Sequence, residues 1–314
     1  MKNRDILINL KNEVDSFSIK PRHLERIREA FPGIRPIEVT SREEFHARLP
    51  DTVWLMTWVF RPEWYAKAPK LEVVFTPAAG HDWAPPDPTG RVKSFYGHFH
   101  GRIMRESLLA MMLFFNRRLA PVSDNRKEKI WDRRAYDGAS SLFSQRVLIV
   151  GYGAIGRQMA ELLKAFGAGI TGVKRNPAGF ENDPYAERVV TFDRLDEELP
   201  VADHVVLMLP GGPETNDIFT GQHLDMMKPG SYLYNMGRGN SCREEDLVRA
   251  LVNGPLAGAG LDVFREEPLP SSSPLWELPS VLVTPHASAI SREYLDLYIE
   301  EWIETVRKSG DCEP

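Results

Sequence analysis

The pattern of apolar and polar positions predicts two regions in which strands alternate with helices. In the first hundred residues, short β-rich runs are separated by segments with helical character. The predicted strands are Asp5–Leu10, Ile34–Val39, Thr52–Thr57 and Leu71–Thr76, and the predicted helices are Pro21–Phe31, Ser41–Leu49 and Arg61–Ala68. This alternation is typical of a parallel sheet with covered faces. Asp82–Gly90 contains three prolines and predicts a loop that ends the alternation at a boundary.

The alternation resumes more strongly in the second half of the chain. Gly101–Ala120 has apolar residues on most sides and predicts a buried helix that bridges two domains. Strands are predicted near residues 147–150, 169–173, 188–190, 204–209, 231–235, 258–262 and 281–284, which together predict a doubly wound sheet. Ser291–Lys308 has the spacing of an amphipathic helix. The predicted fold class is therefore α/β with two parallel-sheet domains.

Composition agrees with two globular domains. A chain of 314 residues has the length of two domains of ordinary size, and its 42% hydrophobic and 26% charged residues are near the globular average. The longest apolar run, Leu108–Phe115, is much shorter than the roughly 20 residues of a membrane-spanning helix. Met1–Asp5 lacks the features of a secretory signal. We therefore expect a cytoplasmic protein without a membrane partner.

Charge and cysteine content narrow the classes of ligand. The 39 basic and 44 acidic residues give a net charge of −5 that is spread along the chain, which argues against nucleic acid as a partner. Cys242 and Cys312 are too few for a disulfide framework, and they lack the spacing of a zinc site. We interpret both as incidental thiols and expect no metal.

A glycine-rich turn predicts a dinucleotide site. The apolar run Arg146–Val150 leads directly into a G-x-G-x-x-G motif of Gly151, Gly153 and Gly156, and the helix Arg157–Phe166 follows. The three glycines permit a tight turn, a close approach to the pyrophosphate and close packing of helix on strand. The N–H groups at the start of the helix are suited to an anion.

The residues after the second strand of this region predict the cofactor. An NAD site usually has an acidic residue there, which accepts hydrogen bonds from the ribose 2′-hydroxyl. Lys174 stands at that place in this chain, followed by Arg175 and Asn176. Because two cations favour a 2′-phosphate, we expect NADP(H), with NAD(H) as the alternative.

Three polar residues follow three successive strands of the second region and form a candidate catalytic set. They are Arg238, Glu267 and His286. Since ligands bind at the carboxyl ends of the strands in an open α/β sheet, these residues are expected to converge. A histidine can donate a proton near neutral pH to the alkoxide formed by hydride transfer to a 2-keto acid, and a neighbouring carboxylate favours the imidazolium. A guanidinium can bind the substrate carboxylate or polarise the keto oxygen.

Five motifs in order resemble the signatures of the D-isomer-specific 2-hydroxyacid dehydrogenases. They are Gly151-Tyr-Gly-Ala-Ile-Gly156, Leu209-Pro-Gly-Gly-Pro-Glu-Thr215, Asn235-Met-Gly-Arg-Gly239, Leu261-Asp-Val-Phe-Arg-Glu-Glu-Pro268 and Thr284-Pro-His-Ala-Ser288. The resemblance implies that Arg238, Glu267 and His286 are the catalytic residues and that Asp262 holds the nicotinamide carboxamide. It also implies further cofactor-lining residues, namely Ala154, Ile155, Leu209, Pro210, Met236 and Gly237.

The resemblance also implies a domain arrangement. Residues 101–285 are then a Rossmann cofactor domain, and residues 1–100 with 286–314 are a flavodoxin-like substrate domain. The loop Ala78–Asp82 is similar to the family's substrate loop, in which the amides of Ala79 and Gly80 would bind the substrate carboxylate. Substrate is expected in a cleft that closes before hydride transfer, and a homodimer built around Gly101–Gly138 is expected from the family.

Three features depart from common members of that family. Lys174 and Arg175 replace the acidic residue, which resembles the glyoxylate/hydroxypyruvate reductase branch, and Gly237 stands where many relatives have alanine. The segment from Tyr96 to His100 has no familiar counterpart. Its two histidines, His98 and His100, are either substrate donors or packing residues at the start of the buried helix. A metal site is not expected there, since His81 is the only obvious further candidate ligand and no carboxylate spacing supports one. Trp54 and Trp58 are interpreted as core residues.

The leading hypothesis is an NADPH-dependent reductase of small 2-keto acids such as glyoxylate or hydroxypyruvate. One alternative is an NAD(H)-linked dehydrogenase of a bulkier D-2-hydroxy acid. Another is a nucleotide-sensing protein without catalysis. The fold alone cannot separate these alternatives, but a sensor has no need of a proton donor, so Arg238, Glu267 and His286 favour an enzyme.

Overall fold

The computed structural model describes residues 4–309, and the chain divides into two compact units. The first unit holds the residues up to His100 and those from Ile290 onward, and the second is Gly101–Ala289. The sequence placed the return to the first unit at residue 286, whereas the second unit continues to residue 289. The reason is local, because Asp262 of the second unit binds the backbone amides of residues 287 and 288.

Strands and α-helices alternate along most of the described residues. The strands are β1 (Arg4–Asn9), β2 (Ile34–Glu38), β3 (Trp54–Thr57), β4 (Val73–Thr76), β5 (Lys93–Tyr96), β6 (Arg146–Val150), β7 (Gly169–Val173), β8 (Arg188–Val190), β9 (His204–Leu207), β10 (Tyr232–Asn235), β11 (Gly258–Leu261) and β12 (Val281–Val283). The α-helices are α1 (Pro21–Ala30), α2 (Arg42–Arg48), α3 (Gly101–Asn116), α4 (Leu119–Lys127), α5 (Ala154–Ala165), α6 (Leu195–Glu198), α7 (Gly221–Asp225), α8 (Glu244–Asn253) and α9 (Tyr294–Ser309).

The first unit contains a parallel sheet in the order β2-β1-β3-β4-β5. This is the flavodoxin-like order. The four predicted strands are confirmed, but the prediction that the alternation ends at the loop 82–90 is wrong. That loop leads to a fifth strand, β5, which pairs with β4 at the edge of the sheet. Its four residues follow a proline-rich loop, and only their pairing with β4 marks them as a strand.

Helices of the first unit begin where the sequence provides start signals. Pro21 occupies the first turn of α1, and the hydroxyl of Ser41 accepts a hydrogen bond from the Glu44 amide at the start of α2. The predicted helix at 61–68 is a 3-10 helix, Pro62–Lys67.

The C-terminal helix α9 packs on α1, and the Asp296 carboxylate of α9 accepts bidentate hydrogen bonds from Arg22 of α1.

The second unit contains a seven-stranded parallel sheet in the order β12-β11-β10-β9-β6-β7-β8, and all seven predicted strands are confirmed. The order reverses beside β6, as in a Rossmann fold. Along β6, Val147 and Ile149 face the core under α3 and α5, whereas Leu148 and Val150 face a second core under α6, α7 and α8. Both faces are therefore covered, and the carboxyl ends of the strands are left for a ligand site.

The helix predicted over Gly101–Ala120 is interrupted. The helix α3 ends at Asn116, and α4 begins after Arg118, whose φ of 51° lies in the left-handed region. Burial is confirmed for the face of α3 that holds Met104, Leu108 and Met112, whereas Leu109 and Phe115 are half-buried. Among the described residues, no helix combines the length and the apolar character needed to cross a membrane.

Cys242, the first of the two cysteines, is a buried free thiol. Burial raises the pKa of this thiol to about 12. A thiol of this kind has little thiolate at neutral pH and is unreactive. Cys312 lies outside the described residues.

Candidate active site

The glycine turn after β6 has the geometry that its motif predicts. Gly151 has a φ of +104°, and a Cβ atom there would lie 2.4 Å from the carbonyl oxygen of Met208. A Cβ atom at Gly156 would lie 2.6 Å from the carbonyl oxygen of Gly151. Both positions therefore require glycine: Gly151 for its positive φ and its close approach to Met208, and Gly156 because a side chain would separate α5 from the turn.

The start of α5 is suited to a pyrophosphate. Gly153 precedes the first helical residue, and the space that its Cβ atom would occupy is open. The helix then begins with Ala154, Ile155 and Gly156, whose amides belong to its first turn. Since the first turn of a helix has N–H groups without partners in the helix, this end can receive an anion. The residues present thus fit a dinucleotide.

The two predicted cations, Lys174 and Arg175, follow β7 as expected, and each contacts another side chain. The Lys174 ammonium lies 4.1 Å from the ring centre of Phe180. The Arg175 guanidinium lies 2.5 Å from a carboxylate oxygen of Glu214, and both side chains are mostly exposed. Asn176 is exposed and accepts a hydrogen bond from a backbone amide two residues later. Sequence reasoning missed Glu214, although it lies in one of the five motifs.

The loops after β9 and β10 approach each other closely. A Cβ atom at Gly237 would lie 2.5 Å from the carbonyl oxygen of Leu209, so a side chain at this position would force the two loops apart. Thr215 donates a hydrogen bond to the Pro210 carbonyl and holds the first of these loops. Met236 is buried beneath them. The predicted cofactor-lining residues of these two loops are therefore neighbours at the carboxyl edge of the sheet.

The backbone of Arg238 is fixed by two polar side chains that sequence reasoning missed. Asn235, the last residue of β10, donates a hydrogen bond to the Arg238 carbonyl, and the Ser241 hydroxyl donates another. Asn235 is buried. A buried asparagine at the end of an apolar strand was the available signal, because buried polar side chains require hydrogen-bond partners.

The loop that carries Arg238 also packs against the loop after β11. A Cβ atom at Gly239 would lie 1.9 Å from the carbonyl carbon of Phe264. The Phe264 amide in turn donates a 3.0 Å hydrogen bond to Glu267. The Arg238 guanidinium donates a 2.9 Å hydrogen bond to the carbonyl of Gly237. Arg238 and Glu267 are therefore carried by loops in direct contact.

The structure brings Glu267 and His286 together. Oε2 of Glu267 lies 2.8 Å from Nδ1 of His286, and the other carboxylate oxygen accepts the Phe264 amide. Each of the two side chains is 36% exposed. Because a carboxylate oxygen can only accept, Nδ1 carries a proton and the other ring nitrogen, Nε2, is directed elsewhere. The pair thus has the arrangement of an oriented general acid.

Asp262 holds the segment that carries His286. Its buried carboxylate accepts hydrogen bonds from the hydroxyl of Thr284 and from the amides of Ala287 and Ser288. The backbone of His286 has a φ of 51°, and its amide donates to the Asp262 carbonyl. A left-handed non-glycine residue persists only where its surroundings fix it. Sequence reasoning gave Asp262 a nicotinamide contact and missed this positioning role.

Hydrogen bonds fix the base of the substrate loop that is predicted in the first unit. The Thr76 hydroxyl accepts a hydrogen bond from the Ala78 amide, and the Ala78 carbonyl accepts one from the Gly97 amide. Ala79 and Gly80 are half-buried, and within residues 4–309 their amides donate no hydrogen bond. Two adjacent amides of this kind are suited to a carboxylate.

The histidines of the first unit differ in exposure. His98 is exposed, whereas His100 is buried and lies 2.8 Å from the Tyr294 hydroxyl. His81 stacks on Tyr96 with ring centres 4.1 Å apart. His100 is therefore a buried, hydrogen-bonded residue, which favours the packing interpretation over direct donation to a substrate.

Trp54, which begins β3, and Trp58, which follows it, are both packed within the first unit. Trp54 is 1% exposed, as expected of a core residue. Trp58 is half-buried, packs on Phe17 and Tyr294, and donates a hydrogen bond to the Phe17 carbonyl. The core interpretation is thus confirmed for Trp54, while Trp58 keeps part of its surface exposed.

Comparison with known proteins places the second unit in a described family. The model of the family described as D-isomer specific 2-hydroxyacid dehydrogenase, NAD binding domain, matches residues 109–288. This range includes the glycine turn and all three candidate catalytic residues.

Individual relatives match over most of this chain. D-3-phosphoglycerate dehydrogenase of Mycobacterium bovis is 31% identical over 288 residues, which are 87% of this chain and 52% of that protein. Glyoxylate/hydroxypyruvate reductase A of Photorhabdus laumondii is 32% identical over 212 residues, 66% of this chain and 64% of that protein. The chain thus spans about half the length of the first relative and just under two thirds of the second.

A solved structure extends the similarity to nearly the whole chain. The NADPH-dependent glyoxylate/hydroxypyruvate reductase of Sinorhizobium meliloti, in complex with NADP and sulfate, has a TM-score of 0.77 and 28% identity, covering 98% of this chain and 96% of that chain. Both units therefore have counterparts in a known two-domain fold.

Proposed function

The chain belongs to the D-isomer specific 2-hydroxyacid dehydrogenase family, and from that premise we propose that it reduces a small 2-keto acid to the D-2-hydroxy acid with NADPH. Glyoxylate and hydroxypyruvate are the favoured substrates, since two of the similar proteins are named as reductases of these acids. The observation that carries the proposal is the 2.8 Å contact between Nδ1 of His286 and Oε2 of Glu267. It lies in the unit that also contains the glycine turn.

His286 is the proton donor of this proposal. Glu267 fixes the ring through Nδ1, so the proton delivered to the substrate oxygen leaves from Nε2. Asp262 sets the backbone from which the ring projects, because it binds the amides of the two following residues. Because the donor is already fixed in place, little free energy is needed to reorganise it when the substrate oxygen gains negative charge.

Substrate binding is assigned to Arg238, Ala79 and Gly80. The Arg238 guanidinium can form charge-assisted hydrogen bonds with the substrate carboxylate or its keto oxygen, and polarising that oxygen stabilises the transition state more than the ground state. Asn235 fixes the backbone of Arg238 through a hydrogen bond, so the position from which the Arg238 side chain extends is defined. The adjacent amides of Ala79 and Gly80 are assigned to the substrate carboxylate.

The cofactor is assigned to the carboxyl edge of the second sheet. When bound, a nicotinamide dinucleotide supplies the hydride. The pyrophosphate is assigned to the first turn of α5, and the 2′-phosphate of NADP(H) is assigned to Lys174 and Arg175, with NAD(H) as the weaker cofactor. The remaining residues assigned to cofactor binding are Gly151, Gly153, Ala154, Ile155, Gly156, Asn176, Leu209, Pro210, Met236, Gly237 and Asp262.

A substrate panel with both cofactors tests the proposal. Purified protein is mixed with NADPH or NADH and a series of 2-keto acids that includes glyoxylate, hydroxypyruvate and bulkier acids, and cofactor oxidation is followed by absorbance. We expect turnover that is fastest with NADPH and the smallest acids. Cofactor binding without oxidation for any acid would contradict an enzyme and support a sensor, and faster turnover of bulky acids with NADH would support the alternative dehydrogenase.

We also assign a homodimer contact to the second unit. Large apolar side chains are exposed beyond α3, namely Trp131 at 91%, Phe143 at 72% and Ile130 at 53%. Ile130 and Trp131 are adjacent in the chain, and exposed apolar patches are typical of interaction surfaces. In α3, Leu109, Leu113 and Phe115 are half-buried, so these side chains also have surface left for a partner. Sedimentation of the full chain tests this assignment, with a dimer expected and a monomer contradicting it.

A further inference from the structure

His100 and Tyr294 form a buried polar contact between two distant segments of the first unit. Nε2 of His100 lies 2.8 Å from the Tyr294 hydroxyl, and the two residues are 194 positions apart. Both are nearly inaccessible, with exposures of 5% and 3%. His100 is the last residue of the unit before the chain leaves it, and Tyr294 begins α9 just after the chain returns.

The same hydroxyl reaches the base of the substrate loop. Tyr294 donates a hydrogen bond of 3.4 Å to the carbonyl of Pro77, the residue directly before Ala78. The Pro77 carbonyl can only accept, and a hydroxyl has one proton. When that proton goes to Pro77, His100 must donate through Nε2 to the tyrosine oxygen. The contacts then form a directed chain of donors from His100 through Tyr294 to Pro77.

The loop is held at neighbouring points as well. A Cβ atom at Gly97 would lie 2.3 Å from the Pro77 carbonyl oxygen, so the segment before His100 lies directly against the loop. Aromatic rings fix Tyr294 itself, since Phe17 and Phe99 have ring centres 4.5 and 4.8 Å from it. Burial raises the pKa of the Tyr294 hydroxyl, which therefore stays protonated and able to donate.

We propose that His100 and Tyr294 are positioning residues that fix the Pro77–Gly80 loop so that the Ala79 and Gly80 amides can bind the substrate carboxylate. This inference rests on the proposed function for its effect on substrate. It gives a role to His100, which burial removes from direct contact with a substrate. The pair acts through the loop backbone, and neither residue takes part in proton transfer.

The chain provides a matched control for the tyrosine. Tyr298 lies one turn further along α9 and is also 3% exposed. Within the described residues its hydroxyl has no hydrogen-bond partner. Tyr294→Phe and Tyr298→Phe therefore remove the same atom from similar surroundings, but only the first removes hydrogen bonds. His100→Gln and His100→Leu form a second pair, because glutamine retains an N–H donor and leucine has none.

Steady-state kinetics with glyoxylate and NADPH measure the effect on substrate. Tyr294→Phe and His100→Leu are expected to raise KM for the keto acid about fivefold to tenfold, with kcat changed less than about twofold, as for loss of one or two hydrogen bonds. His100→Gln and Tyr298→Phe are expected to keep KM near that of the wild type. The dissociation constant of NADPH should not change in any variant. An equal rise in KM for Tyr298→Phe, or a parallel loss of NADPH affinity, would overturn the proposal.

Hydrogen exchange gives a readout that does not depend on activity. Amide exchange of the peptide that spans residues 77–84 is followed by mass spectrometry in the full chain. We expect faster exchange in Tyr294→Phe and His100→Leu, and wild-type exchange in the two control variants. Unchanged exchange in both test variants would overturn the proposal even if the wild type reduced no keto acid. Absence of wild-type turnover would contradict only the proposed function.

Discussion

Two histidines at opposite ends of the second sheet differ in their surroundings, and this difference separates a structural role from an assigned catalytic role. His204 begins β9 at the amino end and is fully buried, with Nδ1 3.1 Å from the Tyr234 hydroxyl and Nε2 3.0 Å from the Gln145 side-chain oxygen. Burial lowers its pKa to about 4. His286 lies beyond β12 at the carboxyl end, is 36% exposed and contacts a carboxylate.

The difference lies in the partners as much as in exposure. His204 has neutral partners that use both ring nitrogens, so it is uncharged at neutral pH and has no nitrogen left for a ligand. His286 uses one ring nitrogen for Glu267 and keeps the other for a reactant. The amino end of this sheet is therefore built for stability and the carboxyl end for chemistry.

Arg238→Ala is expected to have a large effect at the carboxyl end. Loss of the guanidinium should raise KM for the keto acid and lower kcat, reducing kcat/KM about a hundredfold to a thousandfold, since the group is assigned to polarise the developing oxyanion. Steady-state kinetics measure the loss. Arg249→Ala is the control, because the Arg249 side chain lies on the surface of α8 and forms an ion pair with Asp225 of α7. Comparable kinetics for both variants would argue against a substrate role of Arg238.

The residues after β7 should control the choice of cofactor with a smaller effect. Arg175→Ala is expected to raise KM for NADPH about tenfold and to change KM for NADH little, since one charge-assisted contact to the phosphate is lost. Glu214→Gln is expected to act in the opposite direction, because Glu214 competes with the phosphate for Arg175. Kinetics with both cofactors measure these changes. Equal losses for NADPH and NADH would refute the phosphate contact.

His204→Gln should leave activity at neutral pH unchanged and alter stability in acid. The pKa of His204 is near 6.5 in the unfolded chain and about 4 in the folded one, so the unfolded state binds a proton that the folded state does not. Stability is therefore lost as pH falls from about 6.5 to about 4, by about 3 kcal/mol in total. The variant should lack this part of the loss. Denaturant unfolding at several pH values measures it, and identical pH dependence in both proteins would contradict the assignment.

Much of the second sheet was predictable because its signals are local. The apolar run of β6 and the glycines after it define strand, turn and helix within a few residues. The pairing of Glu267 with His286 was also accessible, because polar residues after parallel strands meet at one edge. By contrast, β5 was missed because its strand character depends on β4.

The supporting contacts could not be predicted, because they join residues far apart in sequence. Asp262 binds amides about 25 positions away, and that carboxylate could equally have faced a ligand. The contact of His100 with Tyr294 spans 194 positions, and nothing in either local sequence selects the other as partner. Sequence thus predicted candidates for the chemistry and did not predict which residues hold those candidates in place.

The proposed reaction depends most directly on the proton that His286 is assigned to deliver. A single-turnover experiment mixes a preformed complex of protein and NADPH with glyoxylate and follows cofactor oxidation, for the wild type and for His286→Ala, with NADPH affinity measured in parallel. We predict that the variant binds NADPH as the wild type does and oxidises it about a thousandfold more slowly. Oxidation at the wild-type rate in His286→Ala would contradict the account.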